Sequence, residues 1–246
     1  MIPDYIEQRI RRPLPAGAFI VPGSTPVVSF GDAQRAVVAT LGLNPSRIEF
    51  RDNRSGEFVG NARRLATHTS LGTSDLTAAP PETVLEVLQD CNTYFERNPY
   101  RRWFDQLTPI LAGCGASYYD GSACHLDLVQ WATDPTWSGI RAASVRRQLL
   151  ADDAVFLVDQ LRNANLRLLL VNGTGVSQQL RHVLAVELDG AAPIIGDSWF
   201  DTRLLVGTIF NRIRVVCWST NVQSQPGVTR WLRAELARRV AALAQD

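Results

Sequence analysis

The chain has 246 residues, 46% of them hydrophobic, and a formal net charge of +1. That material suffices for a sizeable core, and the near-neutral balance excludes recognition of a polyanion by bulk charge alone. No apolar run reaches the eighteen or so residues of a membrane span, and residues 1–12 are too polar for a signal peptide, so a cytoplasmic location and no membrane partner are expected.

Residues 1–30 are rich in Pro (Pro3, Pro13, Pro15, Pro22, Pro26) and read as an extended arm lying on a single domain of residues 31–246. Residues 36–43 (AVVATLGL) form a continuous apolar run, the pattern of a strand covered on both faces, and end in the turn Asn44-Pro45-Ser46. Residues 51–81 are polar with little periodicity, a loop long enough to suggest a functional role. After Pro80-Pro81, residues 82–89 read as helix; residues 100–111 read as a second helix that Pro109 bends or ends. The run 125–131 (HLDLVQW) is the second strand, followed by Ala132-Thr133-Asp134-Pro135. A helix over 144–164 leads to the third strand, 166–171 (LRLLLV), and the turn Asn172-Gly173-Thr174-Gly175. Residues 190–207 read as irregular, with room for a further edge strand or hairpin, for which 184–188 is the candidate. The fourth strand, 213–218 (IRVVCW), ends in Ser219-Thr220-Asn221, and a helix over 229–244 places Leu232, Leu236, Val240 and Leu243 on one stripe.

Strands alternating with helices imply parallel pairing through right-handed crossovers. The expected fold is a three-layer α/β/α domain on a central four-stranded parallel sheet. In such sheets ligands bind beyond the carboxyl ends of the strands, so the post-strand turns should converge.

All 25 basic residues are Arg, which suits bidentate phosphate contacts, although biased codon usage is the simpler account. The four cysteines, Cys91, Cys114, Cys124 and Cys217, show neither C-x-x-C spacing nor a His at metal-site spacing. They read as buried thiols, and neither metal nor other cofactor is expected.

Gly42-Leu43-Asn44-Pro45-Ser46 resembles the first motif of uracil-DNA glycosylases, especially the Asn-Pro variants of the mismatch-specific and single-strand-selective branches. Ser55-Gly56-Glu57-Phe58-Val59-Gly60-Asn61-Ala62 resembles the Gly-x-Pro-Phe-Val-Gly-x-Ala stretch of the bacterial thermostable branch, and Asn172-Gly173 stands where that superfamily usually carries Leu-Gly. The resemblance implies the glycosylase-like fold, hydrolysis of an N-glycosidic bond, no metal, and DNA or a nucleotide as partner. A glycosylase takes the base out of the stack into a pocket. Phe58 would stack it, and Asn44 would place the water, since an amide orients but does not deprotonate. Gly42, Pro45 and Ser46 would line the site. Asp127 matches the position of the family's base-reading Asn; an ionised carboxylate only accepts, and so favours an amino-bearing edge over plain uracil.

The last motif departs from the family. Where a His-Pro-Ser type sequence is usual, this chain has Ser219-Thr220-Asn221 and no His. These three would hold phosphate or the departing base, but neutral donors are weaker than a charged one, and losing an oxyanion donor costs about a hundred- to a thousand-fold in rate. Two other readings follow: a binding module that kept the pocket without the chemistry, or an unrelated small-molecule α/β enzyme.

Plainer roles stand beside these. Asn44-Pro45 ends a strand as any such turn does, and Phe58 could anchor the loop. Asp127 lies in an apolar strand and requires a partner or a site. His125 shares its strand face, which suits a buried hydrogen-bonded pair. His68 and His182 read as a loop and a surface residue. Gly173-Thr174-Gly175 could offer backbone N–H groups to a phosphate at a helix start. In Asn98-Pro99-Tyr100-Arg101-Arg102-Trp103, Arg mixes with aromatics, but Trp103 and Phe104 suit a core. Gly196-Asp197-Ser198 has an esterase-like look and no helix to support it.

Overall fold

A computed structural model of the chain describes residues 2–52, 56–194 and 201–245. Ser55 and Gly196-Asp197-Ser198 lie outside them. The chain divides into two compact units. Unit 1 comprises Met1–Asp32, Leu43–Tyr100 and Leu126–Asn163; unit 2 comprises Ala33–Gly42, Arg101–His125 and Ala164–Asp246.

Unit 2 carries most of a six-stranded sheet, in the order β2-β1-β3-β6-β5-β4. Strand β1 is Val38–Gly42, β2 Ala123–Asp127, β3 Leu168–Asn172, β4 Asp189–Ile194, β5 Thr202–Ile209 and β6 Ile213–Trp218. Strands β1 and β3 pair in parallel from Val38↔Leu168 to Leu41↔Val171, and β3 and β6 from Leu168↔Arg214 to Asn172↔Trp218. The carboxyl ends of β1, β3 and β6 therefore share one edge. Strand β3 is buried throughout, as its unbroken Leu-Leu-Leu-Val predicts.

The sheet is mixed, not a four-stranded parallel one. Strands β4 and β5 extend it as an antiparallel hairpin on β6. The further strands expected around 190–207 are thus present as β4 and β5, and composition explains the irregular look of the stretch. Gly207 looks like a loop residue, yet a Cβ there would stand 2.6 Å from the Glu187 carbonyl oxygen. The glycine admits a close backbone approach inside a strand. Residues 184–188 are not the edge strand: Leu184 closes a helix and Ala185 is left-handed at φ +48.

Helices lie on both sides of the sheet. In unit 2 they are α3 (Arg101–Phe104), α4 (Thr108–Gly113), α6 (Thr174–Leu184) and α7 (Arg230–Gln245). Pro109 splits the helix expected over 100–111 and occupies the first turn of α4. Helix α4 packs on α7, where Gly113 lets the chains approach: an added Cβ would lie 3.0 Å from the Ala237 carbonyl.

Unit 1 contains α1 (Asp4–Ile10), α2 (Pro81–Asn92) and α5 (Ala143–Asn163). The N-terminal arm is not simply extended: between Pro3 and Pro13 the chain is free to coil, and α1 buries Ile6, Ile10 and Arg9. Arg9 is 1% exposed; it donates through Nε to Gln130 Oε1 and pairs with Asp153 on α5 at 3.0 Å. Its guanidinium also lies 5.0 Å from the Trp131 ring centroid. The long polar loop is pinned as well. Glu57 accepts from Thr67 Oγ1 at 2.6 Å and Thr69 Oγ1 at 3.2 Å, His68 N–H donates to Gly23 O, and Leu65 and Ala66 are buried. Among the described residues no helix is long and apolar enough to cross a membrane. Cys91, Cys124 and Cys217 are buried thiols, as expected, and Cys114 is half-buried.

Candidate functional site

Two polar clusters occupy the expected regions, one in each unit. In unit 1, Asn44 follows β1 and leads into a short 3-10 turn, Arg47–Glu49, capped by Ser46 Oγ accepting from Ile48 N–H. Asn44 Nδ2 lies 3.1 Å from each of Pro45 O, Trp131 O and Thr133 Oγ1. Two of these partners are carbonyls, so the amide nitrogen must face them. The orientation is thereby fixed, and Asn44 Oδ1 accepts from no group among the described residues.

The same turn carries Glu49, a residue the sequence reading passed over. It is 2% exposed, and burial pushes its carboxyl up to about 7, with the nearby Asp127 charge adding to the effect. Tyr94, itself fully buried, donates its hydroxyl to Glu49 Oε2 at 2.5 Å, and Arg64 Nη1 stands 3.7 Å from the same oxygen; both oppose the rise. Arg64 also donates to Ile48 O. Its guanidinium carbon lies 5.1 Å from the ring centroids of both Phe58 and Tyr100. Phe58 is half-buried, and its N–H donates to Phe50 O. Phe58 thus belongs to an aromatic–Arg–carboxyl cluster. Asp127 is buried at the end of β2 and lies within electrostatic reach of Glu49. Unit 1 therefore holds Asn44, Pro45, Ser46, Phe58 and Asp127 of the expected residues.

Gly42, Ser219, Thr220 and Asn221 belong to unit 2. The centre there is Asn172 at the end of β3. Its Nδ2 donates to Asn221 Oδ1 and Gln223 Oε1, and its Oδ1 accepts from Trp218 Nε1 and Val222 N. Asn221 Oδ1 also accepts from Gln223 N–H and Ser224 N–H. Ser219 Oγ accepts from Arg203 N on β5, and buried Thr220 shares a hydrogen bond with Thr202 at 2.7 Å. The Gly173 and Thr174 N–H groups, which could have cradled a phosphate, donate to Trp218 O and Ser219 O. Gly173 is required there: its φ is +98, and a Cβ would meet Asn221 Cβ at 3.2 Å.

The remaining candidates are placed as follows. His125 Nδ1 lies 2.6 Å from Thr40 Oγ1, which lies 2.6 Å from Tyr118 Oη, a buried chain beneath Phe104. His68 Nδ1 lies 3.1 Å from Thr73 O, and His182 is exposed on α6. Phe104 is buried, and Trp103 is half-buried with its carbonyl accepting from Gln223 Nε2. Among the described residues no group of His, Cys, Asp and Glu could hold a metal.

No protein-family model matches the chain, and no curated protein is similar to it in sequence.

Proposed function

We propose that this chain is a uracil-DNA glycosylase-like hydrolase of the N-glycosidic bond of a damaged base in DNA. The observation that carries this reading is the locked carboxamide of Asn44. With the nitrogen held by Trp131, Thr133 and Pro45, the carbonyl oxygen is the group left over, and it suits a water that must be oriented rather than deprotonated. The same unit supplies Phe58 for stacking, on the ring face opposite Arg64, and the buried Asp127 as acceptor for an amino-bearing base edge.

One observation favours a second reading, a binding module without chemistry. The hydroxyls and amide that would replace the missing His already have partners, Ser219 with Arg203, Thr220 with Thr202 and Asn221 with Asn172.

Incubation with single- and double-stranded oligonucleotides bearing uracil, hypoxanthine or xanthine, followed by alkali, separates the readings. Strand scission that falls at least about a hundredfold in Asn44→Ala is the expected result. Binding without scission replaces the enzyme with the module. Neither binding nor scission removes both and leaves a small-molecule α/β enzyme.

A further inference from the structure

The hydrogen bonds around Glu49 run in one direction. Tyr100 N–H donates to Tyr94 Oη at 2.9 Å. The Tyr94 hydroxyl proton then goes to Glu49 Oε2. Because Oε2 accepts, the proton of the neutral carboxyl resides on Oε1, which bonds to no group among the described residues. The charged groups that act on the carboxyl are Arg64, 3.7 Å from Oε2, and Asp127, with Tyr94 as the third titratable neighbour.

We infer that Glu49 is the proton donor to the departing base, presenting Oε1–H from a carboxyl fixed by Tyr94. This rests on the glycosylase reading and answers its main difficulty. A base that leaves protonated leaves neutral, and needs no His to hold an anion. In the step, the C1′–N bond breaks and its electron pair remains on the base, which takes the Glu49 Oε1 proton. The water placed by Asn44 bonds C1′, and the proton it loses returns through solvent to the Glu49 carboxylate. Arg64 steadies that carboxylate while it exists. The carboxyl is suited to the task, because a buried acid titrating near the working pH both holds and releases its proton.

The test is single-turnover release of base from hypoxanthine- and uracil-bearing oligonucleotides between about pH 5 and 9. The unsubstituted chain should lose rate about tenfold per pH unit above neutrality. Glu49→Gln, whose amide oxygen can still accept from Tyr94, should be at least about a hundredfold slower at the acid end and should lose that inflection. Tyr94→Phe removes a hydrogen bond to the ionised form, so it should move the inflection to higher pH, which a purely structural role would not do. Infrared titration supplies a readout without turnover: a protonated-carboxyl band that disappears near neutral pH in the wild type and is absent in Glu49→Gln. An active wild type matched by Glu49→Gln in rate and pH profile overturns the donor role alone, as does a Glu49 band lost in the ordinary carboxylate range. A wild type inactive on every base overturns the glycosylase reading and the donor role with it.

Discussion

The polar clusters of the two units differ in what they leave over. In unit 2, all four hydrogen-bonding positions of the Asn172 amide are matched, and the turn after β6 is closed on it. In unit 1, Asn44 and Glu49 are each held firmly at one end, by Trp131 and Thr133 or by Tyr94, while Asn44 Oδ1 and Glu49 Oε1 bond to nothing described. A saturated network is architecture, since any new partner must displace an old one. A network pinned at one end and open at the other orients a group toward something yet to bind.

The contrast is broken most strongly by Asn172→Asp. It sets a carboxylate oxygen against Asn221 Oδ1 and Gln223 Oε1, where the amide donated. Destabilisation of about 3 kcal/mol or more, read from the urea midpoint, is expected. A loss below about 1 kcal/mol would show that the cluster does not hold the turn.

Glu49→Gln should have nearly as large an effect, but one that depends on pH. The folded carboxyl titrates near 7, above its ordinary 4.5. Below the ordinary value both folded and unfolded chains are protonated and burial carries no charge penalty. As pH rises from about 4.5 to about 7, the unfolded chain releases its proton first, and wild-type stability falls by about 3 kcal/mol. The variant escapes this loss, so it should gain on the wild type across that window and match it near pH 4. Parallel unfolding curves across the range would mean that Glu49 is not buried as a neutral acid.

The smallest effect is that of Gly173→Ala, about 1–3 kcal/mol from the positive φ and the contact with Asn221. It sharpens the contrast by straining unit 2 without removing a hydrogen bond. Thermal unfolding that is unchanged would show the Asn221 turn to be compliant.

Much of the sheet was legible because a strand buried on both faces advertises itself as an apolar run. The fourth run matches β6 residue for residue, and the run at 166–171 lies within two residues of β3. A hairpin around 190–207 was legible but its strands were not placed, because β5 is only half-buried and Gly207 mimics a turn. Asn44, Phe58 and Asp127 were singled out by their motif positions, and their shared place in unit 1 is what the structure adds. Glu49 was not singled out, because a lone Glu in a polar turn carries no sign of its own burial. That depends on Tyr94 and Arg64, which arrive from distant parts of the chain. Unpatterned charges beside a post-strand motif are the signal that could have pointed to it.

The interleaving of the two units has a consequence for synthesis. The backbone passes back and forth between them, so no contiguous stretch holds either one complete. On the ribosome, unit 1 stays unfinished until α5 has emerged, and β3 waits for β6 as its second neighbour. Long-range closure of this kind is slow. The nascent chain therefore exposes apolar strand edges for most of translation, and shortened versions of the protein should aggregate rather than fold as smaller domains.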